Sequence, residues 1–374
     1  MHWGNRYNAL YLLLCIFAVA SVDLAFAGET AHVREYFFVG GQYVNTSAGT
    51  LFQNQIYVEK LSPSQVKQPY PIIFLHGGGQ DGSNFLNKPD GGKGWASWFL
   101  DQGYEVYVVD EPSRGRSPWN PYGGFPVTTY SVETITSRFT ATQLSNLWPQ
   151  AKLHTQWPGP GTQGDPVFDA YYASVIQGTA NGTEHERAMK EAGTVLLDRL
   201  GPSILVTHSQ GGLYGWTLAD ARPDNLKALI QIEPKGPPFQ EVIFSTDFTR
   251  PWGLTSVPLT YTPTPTNASA PLDTQVVASD STDLTSCVLQ AEPARQLPNL
   301  AKVPILIETG EASYHAMYDH CTQLFLQQAG VNAEHLELGK TDIHGNGHMQ
   351  FMEKNSNEIA AKLHEWITKT VSGS

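Results

Sequence analysis

Residues 203–216 place the strongest constraint on the fold, because a short apolar run there meets a turn of small residues that contains a serine. The apolar residues 204–206 predict a buried strand, and residues 212–219 predict a closely packed helix. Ser209 then lies in a strained turn before a helix N-terminus, which exposes its hydroxyl and favours a nearby negative charge. The turn matches Gly-x-Ser-x-Gly, except that Thr207 replaces the first glycine. Ser209 is therefore a candidate nucleophile, with an ordinary helix cap as the alternative.

The first residues carry the pattern of a secretory signal peptide. A basic residue precedes an apolar run at 9–22, and the small-x-small sequence at 25–27 is typical of a cleavage site. A membrane anchor is the alternative, but Asp23 ends the run before the roughly 20 apolar residues that a membrane-spanning helix needs. We expect removal of residues 1–27 and secretion of the mature chain, 28–374, to the extracellular or periplasmic space as a soluble protein.

Composition narrows the classes of partner. The chain carries a formal net charge of −12 at pH 7, and its lysines and arginines form no clusters along the sequence. An acidic balance of this kind argues against nucleic acid and against anionic membrane surfaces as partners. The chain length allows either one large α/β domain with insertions or two domains.

Two further expectations follow from secretion into an oxidising compartment. The mature chain would hold two cysteines, Cys287 and Cys321, and a disulfide between them is favoured over two buried free thiols. Asn45, Asn181 and Asn267 each begin an Asn-x-Ser/Thr pattern, which makes them candidate glycosylation sites if the source is a eukaryote.

The rest of the chain predicts strands that alternate with helices. Residues 33–44 and 51–59 predict two antiparallel strands joined by a polar turn. Six later apolar runs predict buried strands, at 71–75, 104–109, 203–207, 226–232, 303–307 and 334–338. Apolar strands interleaved with helices, such as the one predicted at 95–102, favour a mostly parallel sheet covered by helices on both faces. Ligands of such sheets bind beyond the carboxyl ends of the strands.

Two segments interrupt this alternation. Residues 117–190 are rich in aromatic residues, proline and glycine, and residues 235–300 are rich in proline, threonine, serine and aspartate. We predict that both are insertions that form a cap over the site, because large aromatic side chains are costly to leave in water. Surface loops are the alternative. The aromatic residues of the first segment include Trp119, Tyr122, Phe125, Trp148, Trp157, Phe168, Tyr171 and Tyr172.

A glycine-rich loop at 76–79, His-Gly-Gly-Gly, follows the strand predicted at 71–75. Glycines leave backbone amides accessible, and we predict that the amides of Gly78 and Gln210 form an oxyanion hole. His76 would orient the loop without taking part in proton transfer. A phosphate-binding loop is the alternative, but the Lys-Ser/Thr pair and the Gly-x-Gly-x-x-Gly spacing that would support it are missing.

A serine nucleophile needs a general base and an acid that orients the base. His348 lies in a loop before an amphipathic C-terminal helix, and it is preferred as the base over His344. Glu233 follows the sixth predicted strand, whereas Glu308 and Glu311 follow the seventh. Every candidate preserves the order serine, acid, histidine, so the spacing alone leaves the choice of acid open.

Together these motifs resemble the α/β-hydrolase fold family over nearly the whole mature chain. The matching residues are the loop at 76–79, the turn at 110–117, the turn around Ser209, and His348. The resemblance implies a mostly parallel central sheet covered by helices on both faces, with cap insertions.

More narrowly, Gly-Asn-Gly-His-Met at 345–349 and the Glu233-Pro234 pair resemble a group of secreted carboxylesterases whose catalytic glutamate follows strand six. The resemblance implies a triad of serine, histidine and glutamate, with Glu233 as the acid and Glu311 as the second choice. Some members of this group carry two adjacent cysteines where Gly78 and Gly79 stand in this chain.

We therefore expect a secreted serine esterase that cleaves carboxylic esters through an acyl-enzyme intermediate and uses no cofactor. The cap aromatics favour a small-molecule ester with an apolar or aromatic part. Lactone opening or acyl transfer on the same fold, or a ligand-binding homologue without turnover, are the alternatives. A metal site at His315, Asp319 and His320 is not favoured, because the adjacent Cys321 is better used in the disulfide. The sequence does not indicate an oligomeric state.

Overall fold

The computed structural model describes residues 28–122 and 125–372. The predicted signal peptide at 1–27 lies outside these residues, so its removal stays a prediction. No helix within the described ranges combines the length and the apolar character needed to cross a membrane.

An eight-stranded sheet forms the centre of the protein. In chain order its strands are β1 (His32–Thr46), β2 (Gly49–Pro63), β3 (Ile72–Leu75), β4 (Val106–Asp110), β5 (Ser203–His208), β6 (Leu226–Ile232), β7 (Ile305–Thr309) and β8 (Ala333–Glu337). Their spatial order is β1-β2-β4-β3-β5-β6-β7-β8. The pairs β1/β2 and β2/β4 are antiparallel and the other pairs are parallel. The carboxyl ends of β5, β6 and β7 therefore meet at one edge, and the predicted mostly parallel sheet is confirmed.

Helices cover both faces of the sheet. They include α1 (Trp95–Asp101), α2 (Gly182–Leu200), α3 (Gly211–Ala221), α4 (Asp319–Gln328) and α5 (Ser356–Ser372). On one face, Trp216 of α3 and Phe325 of α4 belong to the same core as Leu205 of β5. On the other face, Leu363 of α5 packs in a second core with Val206 of β5. Because successive strand residues point to opposite faces, β5 is buried on both sides, as its continuous apolar run predicts.

Several element boundaries differ from the sequence prediction, among them those of β7 and of the C-terminal helix. Strand β7 begins at Ile305 and not at residue 303, because Pro304 has no amide hydrogen to pair in the sheet. The strand ends at Thr309, so Glu308 lies inside it and not after it. The C-terminal helix α5 starts only after a short 3-10 turn at Gln350–Met352.

The two predicted insertions hold most of the described elements outside the central sheet and the five helices above. These elements include the helices Val132–Ile135, Thr142–Ser145 and Pro166–Ala173 and two ribbons, Val127–Thr128 with Gly178–Thr179 and Thr274–Val277 with Cys287–Gln290. Helix α2 begins at Gly182, inside the range 117–190, so the end of that range belongs to the helical layer. The division into a core domain with cap insertions stays a prediction.

The aromatic residues named in the first segment differ in how deeply they are buried. Four of their side chains are buried, namely those of Trp148, Trp157, Phe168 and Tyr171. Trp119 and Tyr122 are instead 42% and 58% exposed, so the expectation that they would be covered is wrong. The indole of Trp119 donates a hydrogen bond of 2.9 Å to the carbonyl oxygen of Phe125, which holds the ring against its own surface turn.

A disulfide joins Cys287 to Cys321, as the sequence predicts. It links the ribbon of the second segment to α4, across a sequence separation of 34 residues. Closing a loop of this length lowers the entropy of the unfolded chain, which stabilises the folded protein by about 3 to 4 kcal/mol. The disulfide thus anchors the segment at 235–300 to the helical layer.

The turn between β5 and α3 holds Ser209 in a left-handed conformation, with φ of +52°. At Gly211, a Cβ atom would lie 2.7 Å from the carbonyl oxygen of His76 in the neighbouring loop. Only glycine allows the start of the helix to approach that loop so closely. The retained glycine of the motif is therefore required by packing.

Thr207, which replaces the other glycine of the motif, is buried. Its hydroxyl donates a hydrogen bond to Oε1 of Gln231 on β6, and Nε2 of Gln231 donates to the carbonyl oxygen of Gly212 at 3.2 Å. The Gln231 side chain has room because Gly215 on α3 lacks a Cβ, which would lie 2.5 Å from Nε2. The threonine is accommodated because its polar group has a buried partner.

We expect Thr207→Val to lower the free energy of unfolding by about 1 to 3 kcal/mol, because Oε1 of Gln231 would stay buried without its donor. Thr207→Ser, which keeps the hydroxyl, should cost less, and adding Gln231→Leu to Thr207→Val should recover part of the loss. Urea unfolding at constant pH measures all three variants. A Thr207→Val protein as stable as the parent would show that this hydrogen bond contributes nothing.

Candidate active site

Three side chains from distant parts of the chain meet at the carboxyl edge of the sheet. Ser209 follows β5, Glu233 follows β6, and His348 lies in the loop between β8 and α5. Ser209 and His348 line the same cavity, which has a volume of about 450 Å³. Glu233 is fully buried and contacts His348.

Both nitrogens of His348 have partners. Nδ1 lies 2.5 Å from Oε2 of Glu233, so Nδ1 carries the hydrogen and Nε2 is the acceptor. The hydroxyl of Tyr314 donates to Nε2 at 3.2 Å. Within the described ranges, no hydrogen bond joins the Ser209 hydroxyl to His348. The ring therefore presents its basic nitrogen to the cavity with Tyr314 as its partner.

Glu233 has a left-handed backbone conformation, with φ of +46°. Hydrogen-bond donors surround its carboxylate. Oε1 accepts the amide of Gly310 at 2.8 Å, and Oε2 accepts the hydroxyl of Ser313 at 2.6 Å. Burial raises the pKa of Glu233, as do nearby carboxyl groups, and the hydrogen bonds from Ser313 and Gly310 oppose that rise. Together with Nδ1 of His348, these donors support a carboxylate that can stabilise an imidazolium.

Two other rings stack on the imidazole of His348. His315 lies nearly parallel to it, with centroids 5.0 Å apart and an interplanar angle of 6°. Phe139 stacks at 5.3 Å. His315 is itself held by Asp319 at 2.9 Å and by the Tyr318 hydroxyl at 3.0 Å. This packing restricts the orientation of the His348 ring.

The surroundings of His348 favour its neutral form. Burial lowers the pKa of His348 well below its usual value, and the neighbouring His208 and His315 lower it further. His208, whose Nε2 donates to the carbonyl oxygen of His348 at 3.0 Å, also has its pKa lowered by burial, to about 3. At neutral pH the His348 imidazole is therefore uncharged and able to accept a proton.

Gly78 and Gln210 line the same cavity as Ser209. Among the described residues, neither backbone amide has a protein acceptor. The two residues are adjacent, since a Cβ at Gly78 would lie 2.8 Å from Oε1 of Gln210. Arg114 and Tyr214 hold the Gln210 side chain, with distances of 3.0 and 2.9 Å. Both amides are thus available to an oxyanion at the start of α3.

The other acid and base candidates lie elsewhere. Nδ1 of His344 is 3.1 Å from Oε1 of Glu311, so these two residues contact each other, and neither lines the cavity. Glu308 is buried inside β7, where it accepts a hydrogen bond of 2.6 Å from a glutamine side chain. Of the three carboxylates, Glu233 is the one in contact with His348.

The loop that carries His348 is held by a buried carboxylate, that of Glu353. It accepts hydrogen bonds from Nδ2 of Asn346 at 2.7 Å and from the amide of Gly347 at 3.1 Å. Nε2 of His154 lies 2.6 Å from the same carboxylate. His154 belongs to the segment at 117–190, so that segment helps to position the loop. Sequence reasoning missed this pair because no local pattern connects residues so far apart.

Two groups of side chains in the described part of the chain have metal-ligating atoms within 4.8 Å of one another. The first consists of Glu233, His315 and His348, whose nitrogens and oxygens already bind one another or neighbouring side chains. In the second, which consists of Cys287, His320 and Cys321, both sulfurs form the disulfide. Neither group presents a complete set of free ligands.

The chain is similar in sequence to a known protein and in structure to several others. Over 341 residues, 91% of this chain and 90% of the other, the sequence is 48% identical to a protein named "Probable secreted lipase phiG" from Fungal sp. (strain ATCC 74256). The solved structure of a novel bacterial esterase matches with a TM-score of 0.63 at 20% identity, over 92% of this chain and 98% of that one, and shows the shared fold alone. No protein-family model matches the chain. The chain therefore belongs to the esterase and lipase family of that fungal protein, with the α/β-hydrolase fold.

Proposed function

We propose that the protein hydrolyses carboxylic esters with Ser209 as the nucleophile, His348 as the base and Glu233 as the acid. The observation that carries the proposal is the 2.5 Å contact between Nδ1 of His348 and Oε2 of the buried Glu233. The His348 ring lines the same cavity as Ser209. An imidazole held in this way has a defined tautomer and turns its basic nitrogen towards the cavity that Ser209 lines. The relationship to a protein named as a lipase supports the same chemistry.

The first half of the reaction forms an acyl-enzyme. Nε2 of His348 exchanges its hydrogen bond with Tyr314 for one with Ser209, takes the hydroxyl proton, and Oγ bonds to the acyl carbon. The amides of Gly78 and Gln210 donate to the oxyanion of the tetrahedral intermediate. The imidazolium, stabilised by the adjacent carboxylate, then protonates the leaving alcohol oxygen as the C–O bond breaks.

The second half releases the acid. Water takes the place of the alcohol, gives a proton to Nε2 of His348, and attacks the acyl carbon. Collapse of the second intermediate returns the proton to Oγ of Ser209 and frees the carboxylic acid. Every proton passes through His348, and no cofactor is required.

The cavity supports a small-molecule ester with an apolar or aromatic part as substrate. Five aromatic side chains line it, those of Tyr130, Phe139, Phe244, Tyr314 and Tyr318. Its volume of about 450 Å³ lies in the range of small-ligand sites. None of these five is among the aromatics named in the sequence analysis, although Trp148 packs behind two of them, Phe244 and Tyr314.

Secretion and glycosylation belong to the same proposal. The side chains of Asn45, Asn181 and Asn267 are all exposed, as attachment of a glycan would require. The fungal protein with 48% identity is named as secreted.

We expect Ser209→Ala to abolish hydrolysis of a neutral aryl ester such as phenyl butyrate, because no other group supplies the attacking oxygen. An aryl phosphonate should label the parent protein at Ser209, as peptide mass spectrometry would show. Ser64→Ala, at an exposed serine, is the matched control. Turnover that survives in Ser209→Ala would rule out the proposed mechanism. A parent protein that shows neither turnover nor labelling would rule out the proposed ester hydrolysis.

Glu233→Gln should lower kcat by about 10⁴-fold, because an amide no longer stabilises the imidazolium or holds the required tautomer. Glu311→Gln is the matched control, since that carboxylate contacts His344 outside the cavity. Steady-state kinetics with phenyl butyrate compares the two variants. A large loss in Glu311→Gln alone would reassign the acid, and no loss in either would exclude the triad.

The acid limb of the kcat/KM profile should lie well below pH 6.5, the usual pKa of histidine. The base must be uncharged to accept a proton, and a lowered pKa keeps His348 uncharged as the pH falls through 6.5. The limb reports the coupled His348 and Glu233 pair as a unit. Initial rates with phenyl butyrate measure the profile, and return to pH 7.5 after each incubation checks for unfolding. Half-maximal activity at pH 6.5 or above would contradict the assignment.

A further inference from the structure

Arg138 lies in the cavity wall without an acidic partner. It belongs to the π-helical turn Thr136–Thr140 and lines the same cavity as Ser209. Its guanidinium carbon is 3.9 Å from the centre of the Phe244 ring. Contact with a ring face uses none of the five N–H donors of the guanidinium. Within residues 28–122 and 125–372, no carboxylate forms an ion pair with Arg138 and no oxygen accepts its hydrogen bonds.

Other charged groups at the cavity are arranged differently. Lys235 lies 3.4 Å from Glu241. Glu241 also accepts hydrogen bonds from Arg250 at 2.6 Å and from Thr249 at 3.0 Å. Asp247 lines the cavity but is exposed. Of the two cations that line the described cavity, Arg138 is thus the one without an ion-pair partner.

The position of Arg138 places such a ligand near the reacting ester. Its chain neighbour Phe139 stacks on His348 at 5.3 Å. Phe244, on which the guanidinium rests, contacts the Tyr314 ring at 5.1 Å, and the Tyr314 hydroxyl reaches Nε2 of His348. A group bound at Arg138 would therefore share the cavity with the ester bond under attack.

The net charge of the protein does not attract anions to this cavity. The chain carries a formal net charge of −12, which repels anions at a distance. An anion would be recognised only through contact with the guanidinium, and a planar carboxylate matches its donor fork with two parallel hydrogen bonds.

We propose that Arg138 binds a free carboxylate of the substrate, so that the preferred substrates are esters that carry a second, unesterified carboxylate. The inference rests on the proposed ester hydrolysis and names its substrate class. It adds a specificity-determining residue to a site whose aromatic walls alone would favour neutral apolar esters.

The test compares carboxylate esters with amides of the same shape. Monophenyl adipate is paired with the phenyl ester of adipic acid monoamide, which places the charge in the acyl half. 4-Acetoxybenzoate is paired with 4-acetoxybenzamide, which places it in the alcohol half. The variants are Arg138→Met and Arg138→Lys, with Arg187→Met as the control, because Arg187 pairs with Glu184 on the exposed face of α2.

In the parent protein we expect kcat/KM to favour the carboxylate ester by about 10- to 100-fold in at least one pair, as charged hydrogen bonds of this kind provide. Arg138→Met should remove the preference, Arg138→Lys should keep part of it, and Arg187→Met should keep all of it. Raising the salt concentration should reduce the preference in the parent protein.

Two results would overturn the inference while leaving ester hydrolysis intact. One is turnover of the amide esters with no carboxylate preference in either pair. The other is an equal loss for both members of a pair in Arg138→Met, which would indicate a structural role. Failure of the proposed function is distinct, since then the parent protein would cleave none of the four esters.

Discussion

The contact between Glu233 and His348 is the interaction on which the rest of the site depends. A carboxylate buried this deeply is stable only when its oxygens are paired. Three donors from two parts of the chain meet there: the Gly310 amide and the Ser313 hydroxyl from the loop after β7, and Nδ1 of His348. The connections that follow β6, β7 and β8 are thereby tied together at one edge of the sheet. In the proposed mechanism, this same contact defines which nitrogen of the imidazole faces Ser209.

The two segments outside the regular sheet, 117–190 and 235–300, supply residues that contact His348, its loop and Arg138. His154, from the first segment, helps to hold the loop that carries His348 through the Glu353 carboxylate. Phe139, also from the first segment, stacks on the His348 ring, while Phe244 of the second supports Arg138. The proposed base is thus positioned by parts of the chain that the α/β alternation does not include. Under our proposals, these segments supply both the support of the histidine and the recognition of the substrate.

Much of the fold could be predicted because it depends on local patterns. Apolar runs of strand length marked β3 to β7, and the small residues after β5 marked the turn at Ser209. Prediction was less accurate where a single residue overrides the apolar pattern. Pro304 is an example, because β7 begins only after it, at Ile305. The prediction of burial also failed for Trp119 and Tyr122, because aromatic character alone does not determine whether other residues pack over a ring. Tyr314, His315 and Phe139 were not identified as neighbours of His348, since no spacing in the sequence brings them together.

The sequence by itself determined the fold class and the candidates for nucleophile, base and oxyanion donors, because the order of strands, turns and helices places these residues at the same edge of a parallel sheet. The spacing left the acid open among Glu233, Glu308 and Glu311, and the resemblance to secreted carboxylesterases favoured Glu233. Only the tertiary structure decided which carboxylate touches His348 and which cation at the cavity lacks a partner. A hydrogen bond requires its donor and acceptor to lie about 3 Å apart. Distances of that scale between residues a hundred positions apart are set by packing, not by local sequence.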